Sequence, residues 1–129
     1  MDATQHRATG WINVTSYDPK PYNQTGGITI SDVHVIQDFT GGLIGTGIAH
    51  FLMVQMPDGS AHFTGIERFT GSVAGRSGSF VLRNTGLLKD GQVTSEWLVI
   101  PGSGTDELAG LRGTGGTRSS GYFLESWFE

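Results

Sequence analysis

The sequence predicts an all-β fold, an eight-stranded antiparallel up-and-down barrel with one short helical turn, and three observations support this prediction. From Thr9 onward, β-branched and aromatic runs of strand length recur between turn signals, with almost no helical periodicity. Glycine supplies 21 of the 129 residues, about twice its ordinary share of roughly 7%, as expected for strand turns and kinks. The length suits one core, so residues 1–129 are predicted to form a single domain.

The predicted strands lie where these runs fall between turn residues. They cover residues 5–16, 27–39, 42–56, 60–74, 77–89, 92–100, 110–117 and 120–128. The first strand is predicted to end at Asp18-Pro19-Lys20-Pro21, because proline lacks the N–H that a ladder requires, and a loop of about ten residues should follow.

Three later connections are short enough for hairpins, so strands three to six should form a meander. Their turn residues are Pro57-Asp58-Gly59, Gly75-Arg76 and Asp90-Gly91, of which the last is an established two-residue turn signal. Only residues 104–109 have a helical pattern, which is barely one turn long. We expect this turn to cover one end of the barrel.

Composition excludes several functional classes. The formal net charge is -4 and no cluster of Lys and Arg follows a phosphate backbone, so no nucleic-acid partner is expected. The absence of cysteine excludes disulfides, thiolate metal sites and a cysteine nucleophile. The start MDATQHRATG does not have the pattern of a signal peptide, and no segment approaches the ~20 apolar residues of a membrane helix. We therefore expect a cytoplasmic protein with no membrane partner.

Alternation along strands four and five places polar groups inside the predicted barrel. In strand four the inward residues are predicted to be Phe63, Gly65, Glu67, Phe69, Gly71 and Val73. In strand five they are predicted to be Phe80, Leu82, Asn84, Gly86 and Leu88, which leaves Arg83 outside. A turn at Gly75-Arg76 sets Glu67 opposite Asn84, and a turn at Asp90-Gly91 sets Asn84 opposite Trp97. Glu67, Asn84 and Trp97 are thus predicted to form one inward row.

This row would bring a carboxyl, an amide and an indole to within ~5 Å of their cross-strand neighbours in an apolar interior. Desolvation there should raise the pKa of Glu67, which suits a general acid or base near neutral pH, and Asn84 would orient a substrate. A structural alternative stays open. In that alternative, Asn84 and a buried water satisfy Glu67, or a bulge returns it to the surface, and Trp97 fills core.

The four histidines do not predict a metal site. His50 and His62 flank the third hairpin, three to four residues apart along the strands, and at ~3.3 Å per residue this is too far for shared ligation. His6 and His34 have no acidic or histidine partner at ligand spacing. No metal and no cofactor is therefore predicted, while His50 faces inward if the Pro57 turn has two residues.

Large apolar side chains lie near the chain ends and on predicted outward positions. A seam between the first and last strands is expected from five aromatic residues, where core or subunit packing is favoured over ligand stacking: Trp11, Tyr122, Phe123, Trp127 and Phe128. The outward positions carry Ile66, Val81, Leu98 and Ile100. An apolar outer wall favours association between copies, so a homo-oligomer is predicted.

Several segments resemble a known family. They are residues 63–71 (FTGIERFTG), 75–82 (GRSGSFVL), 99–105 (VIPGSGT), 16–18 (SYD), 107–113 (ELAGLRG) and 122–124 (YFL), which together span nearly the whole chain. The chain resembles a bacterial family of unknown function with an allene oxide cyclase-like barrel. Glu67 matches the glutamate of the family's GlE motif. The resemblance implies histidine in many relatives at the position of Asn84; if that histidine is the usual acid or base, Asn84 weakens the case for an enzyme.

The resemblance implies a chemistry for the predicted row. Plant allene oxide cyclases, which are similar in fold, bind an unstable fatty-acid epoxide in an apolar cavity and guide its ring closure largely by confinement. By this analogy the chain is a metal-independent cyclase or isomerase acting on an apolar small molecule. Glu67 would stabilise or shuttle charge and Asn84 would hold a polar group. The predicted substrate-binding residues are Trp97, Phe69, Phe80, Phe63, His50 and Tyr122.

Two other functional classes stay open. A non-catalytic binder or carrier of a hydrophobic small molecule would use the same cavity without needing Glu67 for turnover. A barrel filled by its own side chains would act only as an assembly module. The sequence does not separate these classes, because the phenylalanines that would line a pocket are the same residues that would fill it.

Overall fold

Eight antiparallel strands form a closed barrel in the computed structural model, which describes residues 5–119 and 121–129. The strands are β1 (His6–Thr25), β2 (Ile28–Gly41), β3 (Leu43–Gln55), β4 (Ala61–Val73), β5 (Arg76–Lys89), β6 (Gln92–Val99), β7 (Leu111–Ser119) and β8 (Gly121–Phe128). Each strand pairs with the next, and β8 pairs with β1. The predicted all-β fold is confirmed. Ser120, the predicted start of the last strand, and residues 1–4 lie outside the described residues.

Three connections are two-residue turns in the left-handed conformation. Gly26-Gly27, Ala74-Gly75 and Asp90-Gly91 have φ values between 52° and 79°. This is the geometry of the type I′ turn, whose twist matches that of the flanking strands. The predicted turn at Asp90-Gly91 is confirmed, and the predicted turn at Gly75-Arg76 is wrong by one residue.

The observed register between β4 and β5 therefore differs from the predicted register. Because Val73 pairs with Arg76, Glu67 lies opposite Leu82 and not opposite Asn84 as predicted. The shift amounts to two residues, so both strands keep their predicted inward faces. The register between β5 and β6 is as predicted, with Asn84 opposite Trp97.

Strand β1 continues to Thr25, so the predicted break at Asp18-Pro19-Lys20-Pro21 and the loop after it are wrong. Both prolines lie within the ladder between β1 and β2. Beyond Trp11, the described part of the chain shows β1 paired with β2 alone. An edge strand tolerates proline because the missing N–H is on the side that faces away from the ladder.

The barrel interior is divided into a packed half and an open half. The packed half is a continuous cluster of buried side chains: Ala8, Phe39, Leu43, Phe69, Val73, Phe80, Leu82, Trp97, Val99, Leu108, Leu111, Tyr122 and Leu124. The open half contains a smaller cluster on β2, β3 and β4: Val33, Val35, Ala49, Phe51, Met53 and Ala61. Strand alternation places the β2–β3, β4–β5 and β6–β7 connections at the packed end and the other hairpins at the open end.

Leu108 closes the packed end. It belongs to a single 3-10 turn, Asp106–Leu108, which confirms the predicted helical turn, and its side chain is fully buried. The loop is held on β5, because Thr105 N donates to Ser79 O (2.9 Å) and Ser79 N donates to Thr105 Oγ1 (3.0 Å). This approach requires a glycine at Gly78, where a Cβ would collide with the Thr105 carbonyl oxygen.

The outside of β2, β3 and β4 carries an aliphatic face. It consists of side chains that are 39% to 62% exposed: Ile36, Ile44, Ile48, Leu52 and Ile66. Further apolar side chains at the predicted outward positions are partly exposed: Val81, Leu98 and Ile100. Arg83 is exposed, as predicted. No helix in the described part of the chain is long and apolar enough to cross a membrane.

Candidate functional site

A cavity of about 360 Å³ lies in the open half of the barrel. Seven strands contribute to its lining, which consists of Ile12, Val14, Tyr17, Val35, Gln37, Phe51, Met53, Phe63, Asn84, Leu88, Val93, Ser95, Trp97, Thr117 and Ser119. Small-molecule sites are typically clefts of ~300–1,000 Å³ with mostly apolar walls and a few polar groups. The cavity is therefore the candidate ligand site.

Three side chains form the floor of the cavity, where it meets the packed half: Gln37, Asn84 and Trp97. Trp97 belongs both to the lining and to the packed half. Behind this floor lies Glu67, which is fully buried and does not line the cavity. Gln37 Nε2 donates to Glu67 Oε2 at 2.6 Å, and Asn84 Nδ2 donates to Glu67 Oε1 at 3.3 Å. The amides of the floor thus separate the carboxyl group from the cavity.

Burial raises the pKa of Glu67 above its ordinary value, because desolvation disfavours the charged form. Hydrogen bonds from Gln37 and Asn84 act in the opposite direction and offset only part of this effect. The carboxyl group fits because residue 47 is Gly47, where a Cβ would collide with Glu67 Oε2. Glu67 is thus held in one place with its neutral form favoured over a wider pH range than usual.

Two buried polar atoms at the floor have no hydrogen-bond partner within the described part of the chain, Asn84 Oδ1 and Trp97 Nε1. Because Asn84 directs its Nδ2 at Glu67, its oxygen is left over. A buried polar atom without a partner costs ~1–3 kcal/mol. Ser95 and Thr117, which also line the cavity, satisfy each other through their hydroxyls at 2.7 Å. The floor therefore contains one acceptor and one donor that are buried without a partner.

Tyr122 fixes the indole of Trp97 from the packed side. The two rings stack with their centroids 5.8 Å apart. The Tyr122 hydroxyl accepts a hydrogen bond from Leu43 N (2.8 Å) and donates to Thr40 O (2.7 Å). These bonds join β8 to the β2–β3 connection and hold in place the Tyr122 ring that stacks on Trp97.

The structure brings three of the predicted site residues together at the cavity: Asn84, Trp97 and Phe63. Glu67 contacts Asn84 but stays behind the floor. The other predicted aromatic residues lie in the packed half, where Phe69 and Phe80 have centroids 5.1 Å apart and Tyr122 supports Trp97. These residues shape the floor from behind and do not line the cavity.

His50 points to the outside of the barrel, so it does not reach the cavity as predicted. The turn around Pro57 has more than two residues, since Gln55 pairs with Ala61, and this sets the outward face. The prediction that His34 lacks a partner is also wrong, because β2 and β3 align it with His50 and the rings stack at 4.3 Å. Asp32 Oδ1 lies 3.0 Å from His50 Nε2. Among the residues described, no group of three or more His, Cys, Asp or Glu is placed to hold a metal ion.

Sequence reasoning missed four polar side chains of the cavity, Gln37, Thr117, Ser119 and Tyr17. Gln37 had a usable signal, because it interrupts an inward series of apolar residues on β2. Thr117 and Ser119 belong to β7, a glycine-rich strand whose alternation has little apolar contrast, and Ser119 lies beyond the predicted end of that strand. Tyr17 lies beyond the predicted end of the first strand. It stands at the cavity mouth, 52% exposed, where burial of its hydroxyl raises its pKa.

Comparison with known proteins identifies a family and no activity. The family model described as a protein of unknown function (DUF3224) matches residues 8–124. The crystal structure of a protein with unknown function from this family, from Shewanella oneidensis MR-1, is similar, with 31% identity, 98% of each chain covered and a TM-score of 0.76. No curated protein matches the chain. The chain therefore belongs to the DUF3224 family of proteins of unknown function.

Proposed function

We propose that the barrel is of the allene oxide cyclase-like type and binds an apolar small molecule in the cavity of its open half. The observation that carries the proposal is the cavity of about 360 Å³, whose lining among the described residues contains apolar and uncharged polar side chains only. Mostly apolar walls with a few polar groups are typical of sites that bind small molecules. A filled barrel acting as an assembly module has less support, because the open half contains this space.

Binding of a neutral fluorescent probe, N-phenyl-1-naphthylamine, tests the proposal. Val93→Trp places a large side chain in the cavity lining, and Thr94→Trp places the same side chain on the adjacent, exposed position of β6. We expect saturable binding to the wild-type protein and to Thr94→Trp, with affinity reduced about tenfold or more by Val93→Trp. Equal affinity of both variants, or no saturable binding to the wild-type protein, would refute the proposal.

A cyclase or isomerase activity on the bound molecule is the second candidate function. The specific observation that favours it is a fully buried carboxyl group, Glu67, which is hydrogen-bonded at 3.3 Å to Asn84 in the cavity floor. Confinement in a shaped cavity accelerates ring closure by limiting the conformations of the reactant. In this candidate function, Asn84 contacts the reactant and Glu67 positions Asn84.

A molecule that co-purifies with the protein separates the two candidates. Native mass spectrometry of protein purified gently from its own host identifies such a molecule, which is then incubated with wild-type protein and Glu67→Gln. Conversion by the wild-type protein that falls more than about tenfold in Glu67→Gln, with affinity retained, supports the enzyme. An unchanged molecule and equal affinity in both proteins support the binder or carrier.

We also propose that the aliphatic face packs against a second copy of the chain. On the outer surface, Asp32 and Asp38 of β2 lie on one side of this face, and Arg68 of β4 and Arg83 of β5 lie on the other. A two-fold axis along β3 would bring β2 of one copy opposite β4 and β5 of the other, so acidic side chains would face arginines at both edges. Exposed aliphatic side chains between complementary charges fit a self-complementary surface.

Sedimentation velocity tests this association. Ile48, which is 62% exposed, lies at the centre of the aliphatic face, and Thr94 is exposed on β6, outside it. We expect dimers of the wild-type protein and of Thr94→Asp at micromolar concentration, and monomers of Ile48→Asp. A monomeric wild-type protein, or a dimeric Ile48→Asp, would show that this face is not the interface.

A further inference from the structure

The two ends of the cavity differ in what they offer a bound molecule. The mouth opens to water beside Tyr17 and Ser119, which are both exposed, whereas the floor residues Asn84 and Trp97 are buried. We infer that the cavity holds a single-headed amphiphile, whose apolar tail lies on the floor and whose one polar or charged head stays in the water at the mouth. This inference rests on the proposed function and specifies both the class of its ligand and the orientation of that ligand.

The floor offers little to a polar group. Gln37 Nε2 and Asn84 Nδ2 are both directed at Glu67, to which they donate at 2.6 and 3.3 Å. Asn84 Oδ1 and Trp97 Nε1 have practically no accessible surface, so a molecule in the cavity does not reach them. A hydroxyl group at the floor would therefore meet one acceptor at most, Gln37 Oε1, and burial of a polar group without its hydrogen bonds is unfavourable.

Charge is excluded from the interior for a second reason. Within the described residues, the cavity is lined by no Lys, Arg, His, Asp or Glu, so an ionised group inside it would have no counter-charge. An anion at the floor would also lie near the carboxyl group of Glu67. Above the floor, the hydroxyls of Ser95 and Thr117 already bond to each other at 2.7 Å. A charged head is therefore most stable outside the cavity.

The mouth accepts such a head, because water and hydroxyl groups are available there. Tyr17 is 52% exposed, and its hydroxyl donates to Met53 Sδ at 3.5 Å, a weak acceptor that the head of a ligand can replace. Trp97 and Val93 both line the cavity and lie four residues apart on β6, a span of ~13 Å at ~3.3 Å per residue. A linear tail thus has room between the mouth and the floor.

Displacement of N-phenyl-1-naphthylamine from the wild-type protein at pH 8 tests the single head. Decan-1-ol and decanoate each have one head, and decanedioate has a second carboxylate at the far end of the same chain. We expect both single-headed compounds to displace the probe, and decanedioate to bind at least about tenfold more weakly than decanoate, because its second charge would be buried.

The other outcomes separate this inference from the proposed function. Decanedioate that binds as tightly as decanoate, or displacement by decan-1-ol and not by decanoate, would overturn the inference and leave the proposed function intact. Saturable binding of the probe that none of the three compounds displaces would likewise overturn the inference alone. Absence of saturable probe binding would contradict the proposed function itself.

The fluorescence of Trp97 tests the orientation, because its indole lies at the floor and bromine quenches indole fluorescence only at short range. The other two tryptophans, Trp11 and Trp127, do not line the cavity, so Trp11→Phe/Trp127→Phe leaves Trp97 as the single source of the signal. In this variant, with the probe affinity of the wild-type protein as the control, we expect quenching by 10-bromodecan-1-ol and little quenching by 2-bromodecan-1-ol. Equal quenching by both, or stronger quenching by 2-bromodecan-1-ol, would show that the tail does not lie on the floor and would overturn the inference.

Discussion

The packed and open halves of the barrel are built by the same alternation of side chains, and yet one is filled and the other contains a cavity. Phe69 and Phe63 lie on the same face of β4; Phe69 is fully buried, whereas Phe63 lines the cavity. The packed end is closed by Leu108, while hairpins and the free part of β1 surround the open end. Alternation thus decides which residues face inward, and side-chain size and end closure decide whether the interior is filled.

The largest difference between the halves is expected in the loss of stability when one phenylalanine in each half is replaced by alanine. Phe69→Ala should destabilise the protein by about 3–5 kcal/mol, because it opens a void in a close-packed core. Phe63→Ala should cost about 1–2 kcal/mol, because its ring already borders an empty space and is only half-buried. Urea unfolding of both variants measures the two costs. Equal costs would mean that the two halves are packed to the same density.

The next effect concerns Gly47, at the boundary between the halves. Gly47→Ala should destabilise the protein by about 1–3 kcal/mol, because the added Cβ collides with Glu67 Oε2. Thr46→Ala, on the adjacent position of β3, should change stability by at most about 0.5 kcal/mol. In urea unfolding, combining Gly47→Ala with Glu67→Ala should cost less than the sum of the two single changes. Simple additivity would show that the glycine does not make room for the carboxyl group.

A smaller effect should appear in the pH dependence of stability. Burial raises the pKa of folded Glu67, so the unfolded chain releases this proton at lower pH than the folded chain. The stabilising contribution of protonated Glu67 is full below the ordinary pKa and is lost as pH rises through the folded pKa. Each unit by which the pKa of folded Glu67 exceeds that of the unfolded chain corresponds to about 1.4 kcal/mol in the free energy of unfolding. Thermal unfolding should therefore show Glu67→Gln gaining stability relative to the wild-type protein as pH rises, and parallel pH profiles would contradict this.

The smallest effect is expected at the free edge of β1. Pro19→Thr should alter the free energy of unfolding by no more than about 0.5 kcal/mol, because Pro19 is exposed and lies in the edge strand. The change restores an N–H on an unpaired edge, which should increase concentration-dependent association. Light scattering of Pro19→Thr beside Asn13→Thr, another exposed position on β1, measures this. Equal scattering by the two variants would show that proline does not protect the edge.

The sequence predicted the strand order and the inward faces well, because period-two alternation is a local property. It also predicted the pair Asn84 and Trp97, since Asp90-Gly91 is an unambiguous turn signal. The turn between β4 and β5 was displaced by one residue, because Ala74 is an unusual residue for a left-handed position. That displacement changed the neighbours of Glu67 and left its face unchanged.

Other features depend on contacts that no local pattern reveals. The prolines of β1 break a strand in most settings, and they are accommodated here only because β1 has no second partner beyond Trp11 in the described part of the chain. Phe63 and Phe69 have the same pattern in the sequence, so whether each fills or lines the interior depends on what packs against it. The contact of Gln37 with Glu67 likewise depends on the registers of two hairpins, because the two side chains meet across β3 at Gly47, which pairs with Gln37 and leaves room for the carboxyl group.

The one-sided pairing of β1 has a kinetic consequence. Val14 and Tyr17 line the cavity from the stretch of β1 that only β2 holds. If the cavity binds a molecule as proposed, we expect the molecule to leave by a local displacement of this stretch, while the hydrogen bonds between β1 and β8 and those of the packed half stay intact. Under the proposed function, we expect the rate of ligand exchange to be set by the opening of this one edge strand, on the timescale of local fluctuations and independently of global unfolding.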